Sequence, residues 1–238
     1  MGHDVSGKSA DISTDRELGR IVVPPDVPRG FRVFYTTIDF DGRIDDRIRD
    51  FVRPAILYSC HQVHGCRVED RQSCLSGQAG LPVLQEPECD ALWSDQKDTA
   101  LAIKVADCLP VSIIDAGNSI MANIHSGWRS AVQQITSKTL DAAPLDPRQS
   151  IAFLGPTIRV CCFEVGEEVA SQFDARFVDR TLGPKPHVDI PAFTTAVLRE
   201  RGIETIVDTE LCTRCPGSIF HSYRRDKKSG RNLAIVAG

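Results

Sequence analysis

No apolar run in this 238-residue chain approaches the roughly 18 uninterrupted residues a membrane span requires, so no transmembrane helix is expected. Met1 to Arg20 is polar and lacks the apolar core of a signal peptide, which places the expected protein in the cytoplasm. Basic excess is also missing. The 28 Lys and Arg are outnumbered by 32 Asp and Glu, giving a net charge of −4. That balance argues against a nucleic-acid surface, because phosphate-backbone affinity comes from clustered cations, and it leaves room for a small anionic ligand. The nine cysteines are an odd number in a mid-sized chain, which suits reduced thiols better than a disulfide framework. There is no internal repeat, and low complexity is confined to the N-terminus.

What is present is ordinary globular composition, 42% hydrophobic and 25% charged, enough to bury a substantial core in one domain. Residues 1–16 are rich in Gly, Ser and Asp without periodicity and are expected to form a disordered tail, with a single domain over residues 17–238. Strand patterning is expected at Phe31–Thr37, Ala55–Tyr58, Cys89–Trp93, Thr99–Ala106, Val111–Asp115 and Ser119–Ile124, the last four as a meander. The charged stretch Gly42–Arg53 reads as a loop with a short helix. The period then changes: Trp128, Ala131, Val132, Ile135 and Thr139 predict a helix over 128–142. Further helices are expected at Gly166–Phe177 and Asp189–Arg201, with strands at Ser150–Leu154, Thr205–Asp208 and Leu233–Val236. The pattern predicts an α/β fold, a mixed sheet layered with helices.

Three stretches place metal-ligating side chains beside unusual backbone chemistry: Gln62 to Gly65, Ala106 to Pro110 and His125 to Arg129. Imidazole and thiolate are ligands that zinc prefers, and three protein ligands with one open position is the catalytic pattern. Spacing by itself is weak, since His64, Cys108 and His125 are 44 and 17 positions apart. A scattered Cys and two His more often pack independently.

Seven strings in order carry a resemblance: His-Gln-Val-His-Gly at 61–65, Cys-Asp-Ala-Leu-Trp-Ser-Asp at 89–95, Val-Ala-Asp-Cys-Leu-Pro-Val at 105–111, His-Ser-Gly-Trp-Arg at 125–129, Leu-Gly-Pro-Thr-Ile at 154–158, Cys-Cys-Phe-Glu-Val-Gly-Glu-Glu-Val at 161–169 and Phe-His-Ser-Tyr-Arg-Arg-Asp at 220–226. In these the chain resembles the YfiH-like, or laccase-domain, family over about Cys60 to Val236. The resemblance implies a zinc held by His64, Cys108 and His125. It also implies purine nucleoside chemistry: phosphorolysis of adenosine, inosine or methylthioadenosine, and deamination of adenosine. A cysteine-hydrolase-like fold is implied as well, and with it an alternative: amide hydrolysis of a cell-wall precursor with Cys108 as nucleophile and His125 as base. The laccase label fails on composition, because multicopper oxidases need many more histidines, paired as His-x-His, than the six here. Copper in place of zinc is allowed in vitro by the Irving–Williams order.

Around the trio, Asp107 and Glu164 are candidate acid/base carboxylates. Arg129, at a helix start that favours anions, is a candidate phosphate ligand, joined by Arg224. The family's Thr-Arg-x-Gly-Gly segment is absent: Thr37 is followed by Ile38-Asp39-Phe40-Asp41-Gly42, and Arg43 is the candidate substitute. That departure also supports a third alternative, a substrate-binding protein with reduced catalysis. In an extended segment His61 and His64 point to opposite faces, so His61 is read as a surface residue. Cys212-Thr213-Arg214-Cys215 has no second pair at suitable spacing and reads as structural; Cys161 and Cys162 read as free thiols. The basic run Arg224, Arg225, Lys227, Lys228 and Arg231 reads as a solvated turn.

Overall fold

The computed structural model describes residues 9–76, 83–84 and 86–238. Its centre is a pair of six-stranded sheets rather than one. The first runs, edge to edge, Asp11–Asp15, Gly19–Val23, Arg32–Thr36, Asn232–Ala237, Thr99–Val105 and Ile56–Ser59. The second runs Thr205–Asp208, Ser150–Leu154, Leu109–Asp115, Ile120–Ser126, Ala91–Ser94 and Val68–Asp70. Both are mixed. Pairing is antiparallel except for Ile56–Ser59 on Thr99–Val105 in the first, and for the two outermost pairings of the second.

The alternation of side chains explains why two sheets form. Val33, Tyr35, Leu101, Ile103, Ala234 and Val236 face one way and meet Leu92, Ile114, Met121 and Phe153 of the second sheet. Their strand neighbours Phe34, Ala100, Ala102, Leu233 and Ile235 face the other way, onto Ile48 and Val52 of the helix Asp46–Val52. The second sheet likewise turns Val111, Ile113, Ala122 and Ile124 toward Ala131, Ile135, Leu140 and Leu198. Four layers result: helix, sheet, sheet, helices. Strands covered on both faces read as continuous apolar runs. Asn123 is one of the fully buried polar residues, and it stitches the layers: its Nδ2 donates across the interface to Leu101 O (2.8 Å) and Ala234 O (2.9 Å).

Thr99–Val105 therefore leaves the expected meander and pairs in the other sheet. The expected tail is also partly ordered, since Asp11–Asp15 pairs with Gly19–Val23; residues 1–8 lie outside the described part. Asp15 Oδ1 accepts from Glu17 and Leu18 N–H and closes that turn. Four of the five strand residues are exposed, so no apolar face marked it in the sequence.

The helix expected over 128–142 divides into Trp128–Val132 and Ile135–Ala142 at Gln134, whose φ is +64°. Ala131, Ile135 and Leu140 all remain in the core, so the apolar spacing survives a break that glutamine does not announce. The stretch 166–177 holds one turn, Glu167–Ala170, and a short 3₁₀ segment, Ala175–Phe177. Ile190–Glu200 forms as expected, its N-terminus capped by Asp189, which accepts from Ala192 N–H at 2.9 Å. No helix among the described residues is long and apolar enough to cross a membrane.

Candidate metal centre and cleft

Register places the centre at one end of the second sheet. Leu109 pairs with Ser126 and Pro110 with His125, so Cys108, just before the first strand, comes beside His125 at the end of the second. Asp90 precedes Ala91–Ser94, next to them, and its carbonyl accepts His125 N–H at 2.7 Å.

The Asp90 carboxylate, fully buried, organises the loop that carries His64, the third candidate ligand. Backbone N–H groups of Val63, His64 and Gly65 all donate to it, at 3.2, 3.0 and 2.7 Å. The loop therefore wraps around one buried charge, and His64 takes the left-handed conformation at φ +59°. Gln62 ties the same loop to the first sheet, donating to Lys104 O and accepting from Lys104 N–H, each at 2.8 Å.

Asp90 also contacts His125 Nδ1, at 2.7 Å. Burial works against its charge, but the His125 contact and the Gly65 and Val63 N–H groups hold its carboxyl below the usual range. A charged Asp90 accepts a hydrogen bond from His125 Nδ1–H and leaves Nε2 to face the candidate centre, the carboxylate–histidine arrangement of metal sites. The rings of His64 and His125 meet edge to face at 4.8 Å between centroids. Ligand atoms of His64, Cys108 and His125 all lie within 4.8 Å of one another.

Burial opposes ionisation of both Cys108 and His125, yet each favours charge on the other. The Cys108 thiol is brought down to about 6 by His125 and His64, and His125 is raised to about 9 by Cys108 and Asp90. Two imidazoles and a ready thiolate fit a borderline divalent cation. Gly127 completes the cradle: a Cβ there would stand 2.9 Å from Cys108 Sγ and 3.3 Å from His64 Cδ2.

The trio opens into a cleft of about 590 Å³, within the range of small-molecule sites. Trp128, Phe163 and Tyr223 line it, with the cations Lys104, Arg129, Arg224 and Arg231. Arg129 and Arg224, both expected, are thus brought together at the trio. Arg224 lies over the Phe163 ring and donates to Glu164 O at 2.7 Å, while Arg129 lies over Trp128. The helix behind Arg129 has five residues, so its dipole adds little and the guanidinium itself supplies the charge.

Arg43 is elsewhere. It pairs with Asp41 at 3.1 Å and lines an adjoining cavity that shares only Glu86 and Lys104 with the cleft. Glu164 is not among the cleft-lining residues; Lys185 lies 3.4 Å from its carboxylate. Asp107 borders the cleft at φ +86°, but both of its oxygens already accept: Thr213 Oγ1–H at 2.6 Å and Arg224 N–H at 2.6 Å. His61 lines the cleft as well, outside the metal trio; His64 is in a loop, so strand alternation does not separate the two histidines.

Asp90, Lys104 and Arg231 were missed as site residues. Asp90 did carry a signal, a carboxylate inside an otherwise apolar string at 89–93. Arg231 was absorbed into the run read as a solvated turn, and nothing marked Lys104 in its strand.

The purine nucleoside phosphorylase YfiH of Escherichia coli is 33% identical over 171 residues, 67% of this chain and 70% of that one. An adenosine deaminase, RL5, of an unknown prokaryotic organism is 33% identical over 193 residues, 74% of this chain and 72% of that one. The crystal structure of a Neisseria meningitidis protein of family DUF152 superposes with a TM-score of 0.77 at 24% identity, covering 97% of this chain and all of that one. The Bacillus licheniformis protein YfiH superposes with a TM-score of 0.78 at 19% identity, over 95% and 98% of the two chains. These two structures share the mixed α/β fold. Matched to the family's pattern over residues 46–237, the chain belongs to the family described as multi-copper polyphenol oxidoreductase laccase, the YfiH family.

Proposed function

We propose that this chain is a zinc-dependent purine nucleoside phosphorylase acting on adenosine, inosine or methylthioadenosine. The observation that carries this reading is the meeting, in one cleft, of the His64–Cys108–His125 trio with the guanidinium groups of Arg129 and Arg224. The relatives' names supply the nucleoside. Its setting is the cytoplasm, supported by nine cysteines that are all unpaired.

Zinc, when bound, supplies Lewis acidity and a coordination position open to the cleft. Arg129 and Arg224, with Lys104 and Arg231 nearby, bind phosphate and hold it against the ribose. Trp128 and Phe163 offer aromatic surface in the cleft to the purine base. A phosphate oxygen bonds to the anomeric carbon as the bond to the base breaks; the electron pair leaves with the purine, which takes up a proton. Asp90 keeps His125 oriented. Asp107, with both oxygens engaged, positions Arg224 and Thr213 rather than carrying that proton.

Chromatographic product analysis with each nucleoside, with and without phosphate, tests the assignment. Phosphate-dependent release of free base, lost in Cys108→Ala, is expected; no turnover by metal-replete protein overturns it. The adenosine deaminase relative favours a second activity, seen as inosine formed from adenosine without phosphate. The Cys108–His125 pair favours a third reading, amide hydrolysis with a cysteine nucleophile. Zinc would block that sulfur, so activity that rises on chelation would single it out.

A further inference from the structure

The Cys-x-x-Cys at 212–215 has no partner pair nearby in sequence, but the fold brings it one. Ser150–Leu154 and Thr205–Asp208 are parallel neighbours, so the loops that follow them leave the same end of the sheet. The two loops run on side by side: Thr157 N–H donates to Leu211 O at 3.1 Å, and Thr213 N–H to Thr157 O at 2.9 Å. Cys161 and Cys162 lie in the tight turn of the first loop, where Cys162 and Phe163 N–H both donate to Arg159 O.

Four sulfurs therefore cluster, all within 4.8 Å of one another. Cys161 Sγ is 3.9 Å from Cys212 Sγ and 3.6 Å from Cys215 Sγ, and Cys162 Sγ is 3.6 Å from Cys215 Sγ. Zinc bound to thiolates at about 2.3 Å in a regular tetrahedron requires sulfur–sulfur edges of about 3.8 Å. A disulfide requires about 2.05 Å. Those three edges lie near the former and far from the latter.

We propose that Cys161, Cys162, Cys212 and Cys215 form a second metal centre, a closed tetrathiolate site that takes one zinc ion and holds the two loops together. Four ligands with no open position make a structural centre rather than a catalytic one. Burial raises the Cys212 thiol, but backbone N–H groups of Arg159, Arg214 and Cys215 bring it down to about 7. Contact with Cys212 pushes Cys215 up, and burial and Cys215 push Cys161 up, because four neighbouring sulfurs cannot share negative charge unaided. A divalent cation removes that obstacle and displaces the remaining protons.

The centre bears on the cleft from behind. Thr213, between the two cysteines of the pair, donates to Asp107, and Phe163, next to Cys162, lines the cleft. Its existence does not depend on which reaction the cleft performs.

Metal analysis of chain purified under reducing conditions, with zinc supplied, tests the inference. The native chain should hold two zinc ions and the double variant Cys108→Ala/His125→Ala one. Replacing that one with cobalt should give the visible spectrum and strong sulfur charge-transfer bands of a tetrahedral thiolate site. The four cysteines should also resist Ellman's reagent until chelator is added. Cys161→Ser/Cys215→Ser should lose the second zinc and keep the first; the other double variant leaves all four cysteines intact, so misfolding of this one does not decide the matter. A metal-free Cys108→Ala/His125→Ala chain that is folded by circular dichroism, with reactive or disulfide-bonded cysteines, overturns the proposal. So does inorganic sulfide with iron in place of zinc.

Discussion

Asp90 Oδ1 stands 2.7 Å from His125 Nδ1, and the same carboxylate collects the backbone N–H groups of Val63, His64 and Gly65. One buried charge thus orients His125 at its strand end and shapes the loop that presents His64. Asp90→Asn turns an amide NH₂ toward groups that are already donors. Metal affinity should fall about 10–100-fold, as for other partners of ligating histidines. Competition against a chelator measures it; unchanged affinity would remove Asp90 from the centre.

Gly127 has an ordinary φ of −73°, so alanine is not strained there by backbone conformation. Its Cβ would instead press on Cys108 Sγ and His64 Cδ2. Overpacking costs about 1–3 kcal/mol, equivalent to roughly 5–150-fold in affinity. Gly127→Ala should bind zinc more weakly by that factor while keeping its far-ultraviolet circular dichroism. Calorimetric titration of both proteins with zinc is the check.

Metal removal should expose a thiolate. With Cys108 lowered to about 6 and His125 raised to about 9, the metal-free site holds a thiolate beside an imidazolium between those values. Iodoacetamide labelling of Cys108, followed by mass spectrometry, should rise as pH climbs through about 6 rather than near the ordinary thiol value of 9.0. A midpoint at the ordinary value would show that the pair does not form.

Arg129→Ala and Arg224→Ala should each raise the KM for phosphate by roughly tenfold or more, as expected for loss of a charge-assisted hydrogen bond of about 1.5–3 kcal/mol. Arg43→Ala should leave it unchanged, since Arg43 borders the neighbouring cavity. Steady-state kinetics at saturating nucleoside distinguishes them. Equal effects at all three positions would mean that the cations act only through overall charge.

Asp115 supplies an acid-sensitive contact away from the cleft. Burial raises its carboxyl, but Asp146 and Asn118 N–H groups and the Asn118 amide outweigh this and hold it low. A lowered carboxylate stabilises the fold above its unfolded value and loses that contribution as pH falls through the folded one. Asp115→Asn should therefore be less stable near neutrality and show a flatter loss on acidification, measured by urea unfolding across the acid range.

Much of this architecture is legible in the sequence. Long apolar runs such as Thr99–Val105 and Leu109–Asp115 announced buried strands, and Asp189 announced a helix start. His64, Cys108 and His125 were singled out through their flanking strings, since their spacing has no local pattern, and the fold brings the three together. By itself the sequence determined the principal buried strands and the helix Ile190–Glu200, because these depend on local composition and periodicity, whereas the exposed strand Asp11–Asp15 and the break at Gln134 carried no such local signal. Which sheet each strand joins was decided only by the tertiary structure: a strand apolar on both faces fits either sheet, and Thr99–Val105 went where Asn232–Ala237 could pair with it. The same holds for Asp90 beneath His125, for Arg231 turned into the cleft while Arg43 faces a separate cavity, and for four cysteines joined across some fifty residues. Each is a contact between segments distant in the chain, and sequence spacing carries no record of the distance the folded backbone closes.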